Sequence, residues 1–299
     1  MATKIWVGTG ASPNAWTHPD NWSPSGVPSA DDDVYFENSS VDCNAVSELD
    51  QSGMSGVFDS FNVDQSYTGS IGTAAAELQI KTDVLNIGYH NGPGTPAGSP
   101  LLNIDLGATV CAITVSNAGT SVDSSRAPVR LKGSATTNDL TVTKGKVEFG
   151  TDTDDITSKL RNVVVSYDTK INTDADVFIG KGVTLSTLLT CYGGDTVIEC
   201  DCPDTKVHGG TFLFAGTWAG TTAFSSYGGV STLNSGLATL TNCNVYKGTV
   251  DFTKSSNVRT ITNASLGIGG VIKFNSSYIV LTNGINAADT SQVQIFTGS

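Results

Sequence analysis

The stretch Gly145-Lys146-Val147-Glu148-Phe149 follows a pattern of glycine, any residue, an apolar residue, any residue and phenylalanine. The pattern returns in Gly210-Thr211-Phe212-Leu213-Phe214, Gly248-Thr249-Val250-Asp251-Phe252 and Gly270-Val271-Ile272-Lys273-Phe274. Residues two apart in a strand point to the same face, so each apolar–phenylalanine pair is expected to face inward. The sequence predicts a core stack made of Val147, Phe149, Phe212, Phe214, Val250, Phe252, Ile272 and Phe274.

The spacing of these copies indicates a repeat architecture. Successive copies begin 65, 38 and 22 residues apart, which fits three, two and one units of about 20–22 residues. Short apolar runs separated by Gly, Asn, Asp or Lys fill the chain, without a helical period. A β-sandwich has no reason to repeat one inward pair at this spacing. We therefore predict an all-β, right-handed parallel β-helix with about 20–22 residues per rung.

Charge and composition exclude some function classes. The 299-residue chain has only 15% charged residues and a net charge of −12. Residues 1–125 hold 14 Asp and Glu against Lys4 and Lys81, whereas residues 126–299 are balanced. This acidic first part argues against nucleic-acid binding, which needs a basic face. No apolar run has the length of a membrane span, and we expect synthesis in a cytoplasm, with the six cysteines remaining thiols.

Three of the four tryptophans, Trp6, Trp16 and Trp22, lie near the start of the chain. Around them run Trp6-Val7-Gly8, Asn21-Trp22-Ser23, Gly26-Val27-Pro28 and Asp33-Val34-Tyr35-Phe36. This opening resembles that of many bacterial and phage β-helix surface proteins, including some autotransporter passengers. The resemblance implies a solenoid start, whose open end large aromatic rings could cover. A sugar-binding aromatic platform is the competing interpretation.

We divide the chain into three parts. Residues 1–40 are interpreted as a Trp-rich N-terminal cap and attachment segment. Residues 41–128 are interpreted as an irregular, acidic and loop-rich first part of the solenoid, because prolines concentrate before residue 129 and proline is disfavoured inside a sheet. Residues 129–299 are interpreted as the regular β-helix.

Carboxylates are the first candidates for chemistry. A glycosidase needs two carboxyl groups about 5–10 Å apart. If the protein is an enzyme, the catalytic candidates are Asp152, Asp154, Asp174 and Asp201. Asp and Asn between strands usually serve turns through hydrogen bonds to the backbone. We therefore expect turn roles for most of them and predict no catalytic residue.

Metal sites receive weak support from the sequence. Asp152-x-Asp154-Asp155 and Asn172-x-Asp174-x-Asp176 could supply oxygen ligands, but both lack the glycine and distal glutamate of an EF-hand loop. We predict no cofactor and leave a structural Ca²⁺ open. The motif Cys200-Asp201-Cys202 has too short a spacing for a usual zinc site, and buried thiols are expected there. His208 is expected to be an ordinary surface residue.

Three function classes remain. The leading hypothesis is a non-catalytic structural protein of a bacteriophage particle, a β-helix decoration or spike protein located in the virion on the capsid or tail. Resemblance to phage head-decoration proteins and tailspikes implies a homotrimer that contacts a major capsid or tail protein and could contact host-surface glycans. The alternatives are a tailspike-type polysaccharide depolymerase, either a glycoside hydrolase or a lyase, and a fragment of a bacterial surface adhesin. No nucleic-acid or membrane partner is expected.

Overall fold

A computed structural model describes residues 2–73, 75–88, 101–116, 128–150, 158–166, 175–202, 204–216, 223–234, 239–289 and 293–296. In these ranges the chain is all-β apart from two short 3-10 segments, Pro19–Asn21 and Val46–Glu48. No helix in the described ranges is long and apolar enough to cross a membrane. The chain divides into an N-terminal unit (Met1–Gly150 with Thr157–Leu160) and a C-terminal unit (Thr151–Ile156 with Arg161–Ser299).

Short strands build the N-terminal unit. They are β1 (Thr3–Trp6), β2 (Trp22–Ser23), β3 (Asp33–Phe36), β4 (Ser60–Val63), β5 (Leu78–Gln79), β6 (Val84–Ile87), β7 (Leu102–Asp105), β8 (Ala112–Val115), β9 (Val129–Lys132), β10 (Asp139–Val142) and β11 (Gly145–Phe149). Strand β12 (Lys159–Val165) begins in this unit and ends in the C-terminal unit.

Two series of parallel pairs organise the N-terminal unit. One series runs β1–β3–β4–β6–β8–β10, and the other runs β5–β7–β9–β11. Strands β1 and β2 form an antiparallel pair. Each strand therefore pairs with one much further along the chain, as in Asn62 with Asn86. Parallel pairing of this kind requires the chain to cross back after each strand, so that the next strand of the series runs in the same direction as its partner.

The C-terminal unit contains both short strands and strands of eight residues or more. They are β13 (Ala175–Ile179), β14 (Thr184–Cys191), β15 (Asp195–Ile198), β16 (Asp204–Val207), β17 (Thr211–Phe214), β18 (Ala223–Leu233), β19 (Thr239–Asp251), β20 (Arg259–Leu266), β21 (Gly270–Asn275), β22 (Ile279–Leu281), β23 (Ile285–Ala287) and β24 (Val293–Phe296).

The C-terminal unit also contains two parallel series. One runs β13–β15–β17–β18–β19–β21–β24, and the other runs β14–β16–β18–β19–β20–β22. Strands β18 and β19 take part in both series because they are 11 and 13 residues long. The prediction of an all-β chain with mostly parallel pairing is confirmed.

The predicted period of about 20–22 residues holds for only some of the strand pairs. Paired residues are 24 apart for Asn62 and Asn86, but 16 apart for Leu188 and Asp204. The period varies because each turn between strands has its own length. The separation is 22 residues where Gly248 pairs with Gly270.

Two copies of the repeated pattern escaped the sequence analysis. One is Gly194-Asp195-Thr196-Val197-Ile198, which pairs in register with the copy that begins at Gly210, and the other lies between Gly210 and Gly248. The 38 residues between Gly210 and Gly248 are two steps of 19, because Thr211 pairs with Val230 and Val230 pairs with Thr249. The intermediate copy is Gly229-Val230-Ser231-Thr232-Leu233. It was missed because Ser231 and Leu233 stand where the copies identified in the sequence have an apolar residue and a phenylalanine.

The predicted core-stack residues lie in the interior. All eight are at most 5% exposed, with Phe274 the most exposed of them. Parallel register places like positions next to each other, as with Ile198, Phe214 and Leu233. Burial of one such apolar side chain stabilises the fold by about 1.5–3 kcal/mol. The stack therefore contributes stability to these strands.

A column of glycines brings neighbouring strands into close approach. Gly194, Gly210, Gly229 and Gly248 have φ angles of +73°, +75°, +73° and +81°. A Cβ atom on Gly210 would lie 2.1 Å from the Gly194 carbonyl oxygen, one on Gly229 would lie 2.4 Å from that of Gly210, and one on Gly248 would lie 2.5 Å from that of Gly229. Glycine is therefore required in this column for both backbone conformation and space.

We predict that Gly229→Ala lowers the free energy of unfolding more than Gly284→Ala does. Both glycines have positive φ, +73° and +71°, which costs an alanine roughly 1–2 kcal/mol. A Cβ on Gly284 meets nothing within 4 Å, whereas one on Gly229 meets the Gly210 carbonyl. We expect an extra loss of about 2 kcal/mol for Gly229→Ala, measured by urea unfolding with circular dichroism. Equal losses would contradict the close approach.

Candidate functional site

The three N-terminal tryptophans lie inside the N-terminal unit. Trp6, Trp16 and Trp22 are at most 2% exposed. Trp16 stacks on Phe61 with ring planes 10° apart, and Trp6 stacks on Phe36. Each indole N–H at positions 6 and 22 donates to a backbone carbonyl. The rings thus fill the core beside β1, and the interpretation as an exposed sugar platform is wrong because their faces are covered.

The same burial limits the predicted attachment role of these tryptophans. Rings that pack on Phe36 and Phe61 cannot at the same time present their faces to another protein. Any attachment through residues 1–40 must therefore use the surface around the tryptophans.

Only one of the four catalytic candidates can be placed. Asp152, Asp154 and Asp174 lie outside the described residues, as do Asp155 and Asn172 of the calcium-like motifs. Asp201 is exposed and lines a cavity of about 580 Å³ in the C-terminal unit. Glu199, which the sequence analysis did not select, lines the same cavity.

Three chain segments form this cavity, following β13, β15 and β17 respectively. The Glu199 N–H donates to the Ile179 carbonyl at 3.0 Å, which joins the first two segments. A Cβ on Gly216 would lie 2.2 Å from the Cys200 carbonyl oxygen, so the third segment packs directly on the second. The cavity is lined by Lys181, Gly182, Val183, Thr184, Glu199, Asp201, Ala215 and Gly216.

The cavity gathers both signs of charge. Cys200 is buried between Glu199 and Asp201, and both of these acidic residues line the cavity. Lys181 supplies a cation to the same wall. Such a set of donors and acceptors can bind a hydroxyl-rich ligand.

Several other carboxylates serve turns, as predicted. Asp50, Asp64, Asp105 and Asp251 each accept a hydrogen bond from the backbone N–H two residues further on. Asp32 accepts backbone hydrogen bonds from Ala2 and Ser29. Burial opposes ionisation of Asp32, but these hydrogen bonds outweigh it and lower the pKa of the carboxyl group.

All six cysteines are buried free thiols. Burial raises the pKa of Cys111, Cys191, Cys200 and Cys243 to about 12, and it raises the pKa of Cys43 and Cys202 as well. A thiol with so high a pKa is neutral and poorly nucleophilic at neutral pH. The described residues contain no group of three or more His, Cys, Asp or Glu arranged to hold a metal ion.

An exposed row of stacked rings lies on the C-terminal unit. The centroids of Tyr192 and His208 are 4.8 Å apart, those of His208 and Tyr227 are 4.7 Å apart, and those of Tyr227 and Tyr246 are 4.9 Å apart. Neighbouring ring planes differ by at most 25°. We call these four residues the ring ladder.

The ring ladder follows from the glycine column. Tyr192, His208 and Tyr227 each stand directly before a Gly-Gly pair, and Tyr246 stands two residues before Gly248. Because the glycines are aligned across strands, the preceding side chains are aligned as well. The sequence analysis missed this recurring aromatic-Gly-Gly signal and interpreted His208 as an ordinary surface residue. His208 is exposed, but it lies between two tyrosine rings.

Comparisons with known proteins give no match to this chain among family models, curated proteins or solved structures. Its function is therefore argued from its own residues.

We predict that none of the six thiols reacts with a disulfide reagent such as Ellman's reagent while the protein is folded. Burial excludes the reagent and keeps each sulfur protonated. The absorbance of the released thiolate measures the reaction, and the same protein in guanidinium chloride should release six equivalents as its control. Rapid reaction of even one thiol in the folded protein would contradict the described burial.

Proposed function

We propose that this protein is a right-handed parallel β-helix with a Trp-rich N-terminal cap and serves as a rigid, non-catalytic structural protein of a bacteriophage particle. The observation that carries the proposal is the in-register parallel pairing of successive strands over an apolar stack. Val197, Leu213 and Thr232 pair in register, and the residues that follow them, Ile198, Phe214 and Leu233, are buried. Parallel strands in one sheet are almost always joined by right-handed connections, which supports the hand.

The outer faces of the strands support a rigid structural role. Asn263 donates to Asn242 at 3.0 Å, and Asn283 donates to Asn263 at 2.7 Å. In the N-terminal unit Asn86 donates to Asn62 at 2.9 Å. Side chains tied to their counterparts on neighbouring strands lose little further entropy on assembly. Such a surface suits a protein that is displayed on a particle and must keep its shape.

The proposed assembly is a homotrimer attached to a major capsid or tail protein, located in the virion. Three parallel solenoids side by side could each bury one flank. The acidic first part of the chain supplies a charged surface for a basic partner, since residues 1–125 carry a net charge of −12. The resemblance of the opening sequence to phage and bacterial β-helix proteins supports the choice of a particle over a free protein.

We predict that the purified protein sediments as a trimer and binds phage particles that lack it. Sedimentation velocity gives the oligomer, and co-sedimentation followed by electron microscopy measures binding to particles. Intact particles that already carry the protein serve as the control. A β-rich monomer that does not bind depleted particles would contradict the structural role.

A polysaccharide depolymerase is the second candidate, because Glu199 and Asp201 line one cavity. If this function is correct, Glu199→Gln and Asp201→Asn should each reduce cleavage of host capsular polysaccharide or lipopolysaccharide by 10²-fold or more. Asp195→Asn is the matched control, since Asp195 is exposed on the adjoining strand β15 but does not line the cavity. New reducing ends or unsaturated sugars measure hydrolysis or lyase activity. No cleavage by the unaltered protein would exclude this candidate for the substrates tested.

A further inference from the structure

The ring ladder leaves an open face at each end. Tyr192, Tyr227 and Tyr246 are 51%, 39% and 46% exposed. Tyr227 is the least exposed because His208 and Tyr246 cover its two faces. Each end ring has one ring neighbour in the ladder, and no other ring of the described residues stacks on its outer face.

The next positions beyond the ladder carry small residues. The Tyr192 N–H donates to the Val165 carbonyl, which aligns Tyr192 with Ser166. At the other end a Cβ on Gly267 would lie 3.1 Å from the Tyr246 Cα, so Gly267 is the neighbour of Tyr246. Neither residue has a side chain large enough to cover a tyrosine ring.

A strip of bare backbone runs beside the ladder. The first residue after each of the first three rings is a glycine, and so is the second: Gly193, Gly194, Gly209, Gly210, Gly228 and Gly229. No side chain from these positions stands beside the rings. Gly193 and Gly194 are buried, but the other four glycines are at least partly exposed. The ring edges of His208 and Tyr227 can therefore be reached from this side.

This geometry selects a flat aromatic ligand over a sugar. Sugars stack on ring faces, but the inner faces of the ladder are already covered by neighbouring rings. A flat aromatic body laid along the ladder would instead contact several ring edges at once and bury apolar surface against them. The ladder spans three steps of 4.7–4.9 Å, so it matches an elongated body of about 14 Å.

The Tyr192 end favours a positive charge. The face of a tyrosine ring is the negative part of its quadrupole, and it attracts cations. Asp195, three residues after Tyr192, is exposed and adds a carboxylate at this end. At the Tyr246 end the adjoining Lys247 is exposed and repels a cation. The two ends therefore differ in charge preference.

We propose that the ring ladder is a binding site for a flat, elongated aromatic cation, with its body along the ring edges and its positive charge at the Tyr192 end of the ladder. The site is distinct from the cavity considered for a depolymerase, because the ladder contributes none of the cavity-lining residues.

Thioflavin T is the probe, because it is flat, elongated, aromatic and cationic, and its fluorescence rises when its rings are held coplanar. We expect saturable binding to the full-length protein. Tyr192→Leu and Tyr227→Leu should each weaken binding about tenfold, which corresponds to one lost aromatic contact of roughly 1.4 kcal/mol. Tyr192→Phe and Tyr227→Phe, which keep the rings, should bind as the unaltered protein does. Tyr278→Leu is the control for a half-buried tyrosine outside the ladder.

Circular dichroism of each variant checks the fold, and Tyr246→Leu replaces any leucine variant that fails to fold. Absence of saturable binding by the unaltered protein would overturn the proposal. So would binding unchanged in both leucine variants, or equal affinity for an anionic flat aromatic dye of the same length. A ladder that mediates self-association, shown by dissociation of an oligomer in Tyr227→Leu without any dye binding, would overturn it as well.

Discussion

The close approach of backbones along the glycine column is the constraint on which the C-terminal unit depends. At Gly210, Gly229 and Gly248 neighbouring strands come so near that a Cβ would overlap the preceding carbonyl oxygen. Positive φ at the same positions turns the chain sharply. Together these two requirements fix the phase of each strand relative to the next. Residues that stand the same number of positions from the glycine therefore lie next to each other on neighbouring strands.

On the inner side this alignment of the strands builds the apolar stack. The stack also contains buried polar side chains, which reduce its contribution to stability. Phe212 lies in register between the buried residues Thr196 and Ser231, and the Ser231 hydroxyl makes no hydrogen bond in the described structure. An unpaired buried hydroxyl costs about 1–3 kcal/mol. The small side chains leave room for the phenylalanine ring, and larger apolar residues beside it would overfill the core. Beside Phe212, a good fit of side-chain volumes thus matters more for stability than a hydrogen bond to every buried hydroxyl.

On the outer side the same phase produces rows of identical chemistry. Asn242, Asn263 and Asn283 form one hydrogen-bonded row, and the ring ladder forms another. Neither row is needed to fill the core, because their members point outward. A repeating outer surface suits a displayed structural protein, and an aromatic row also provides extended contact for a ligand. The proposed structural role and the proposed ligand site therefore have a common physical origin.

The sequence by itself determined the all-β class, the parallel repeat and the inward phenylalanines, because the two-residue alternation of a strand is a local property. It also indicated the turn aspartates, whose hydrogen bonds are local. Only the tertiary structure decided which distant residues meet. Glu199 lies with Asp201 and Lys181 around one cavity, and Arg259 is buried where it donates to the carbonyls of Leu233 and Phe252. The turns between strands vary in length. The register of the strands, and the contacts between distant residues that follow from it, therefore could not be predicted from a fixed repeat length.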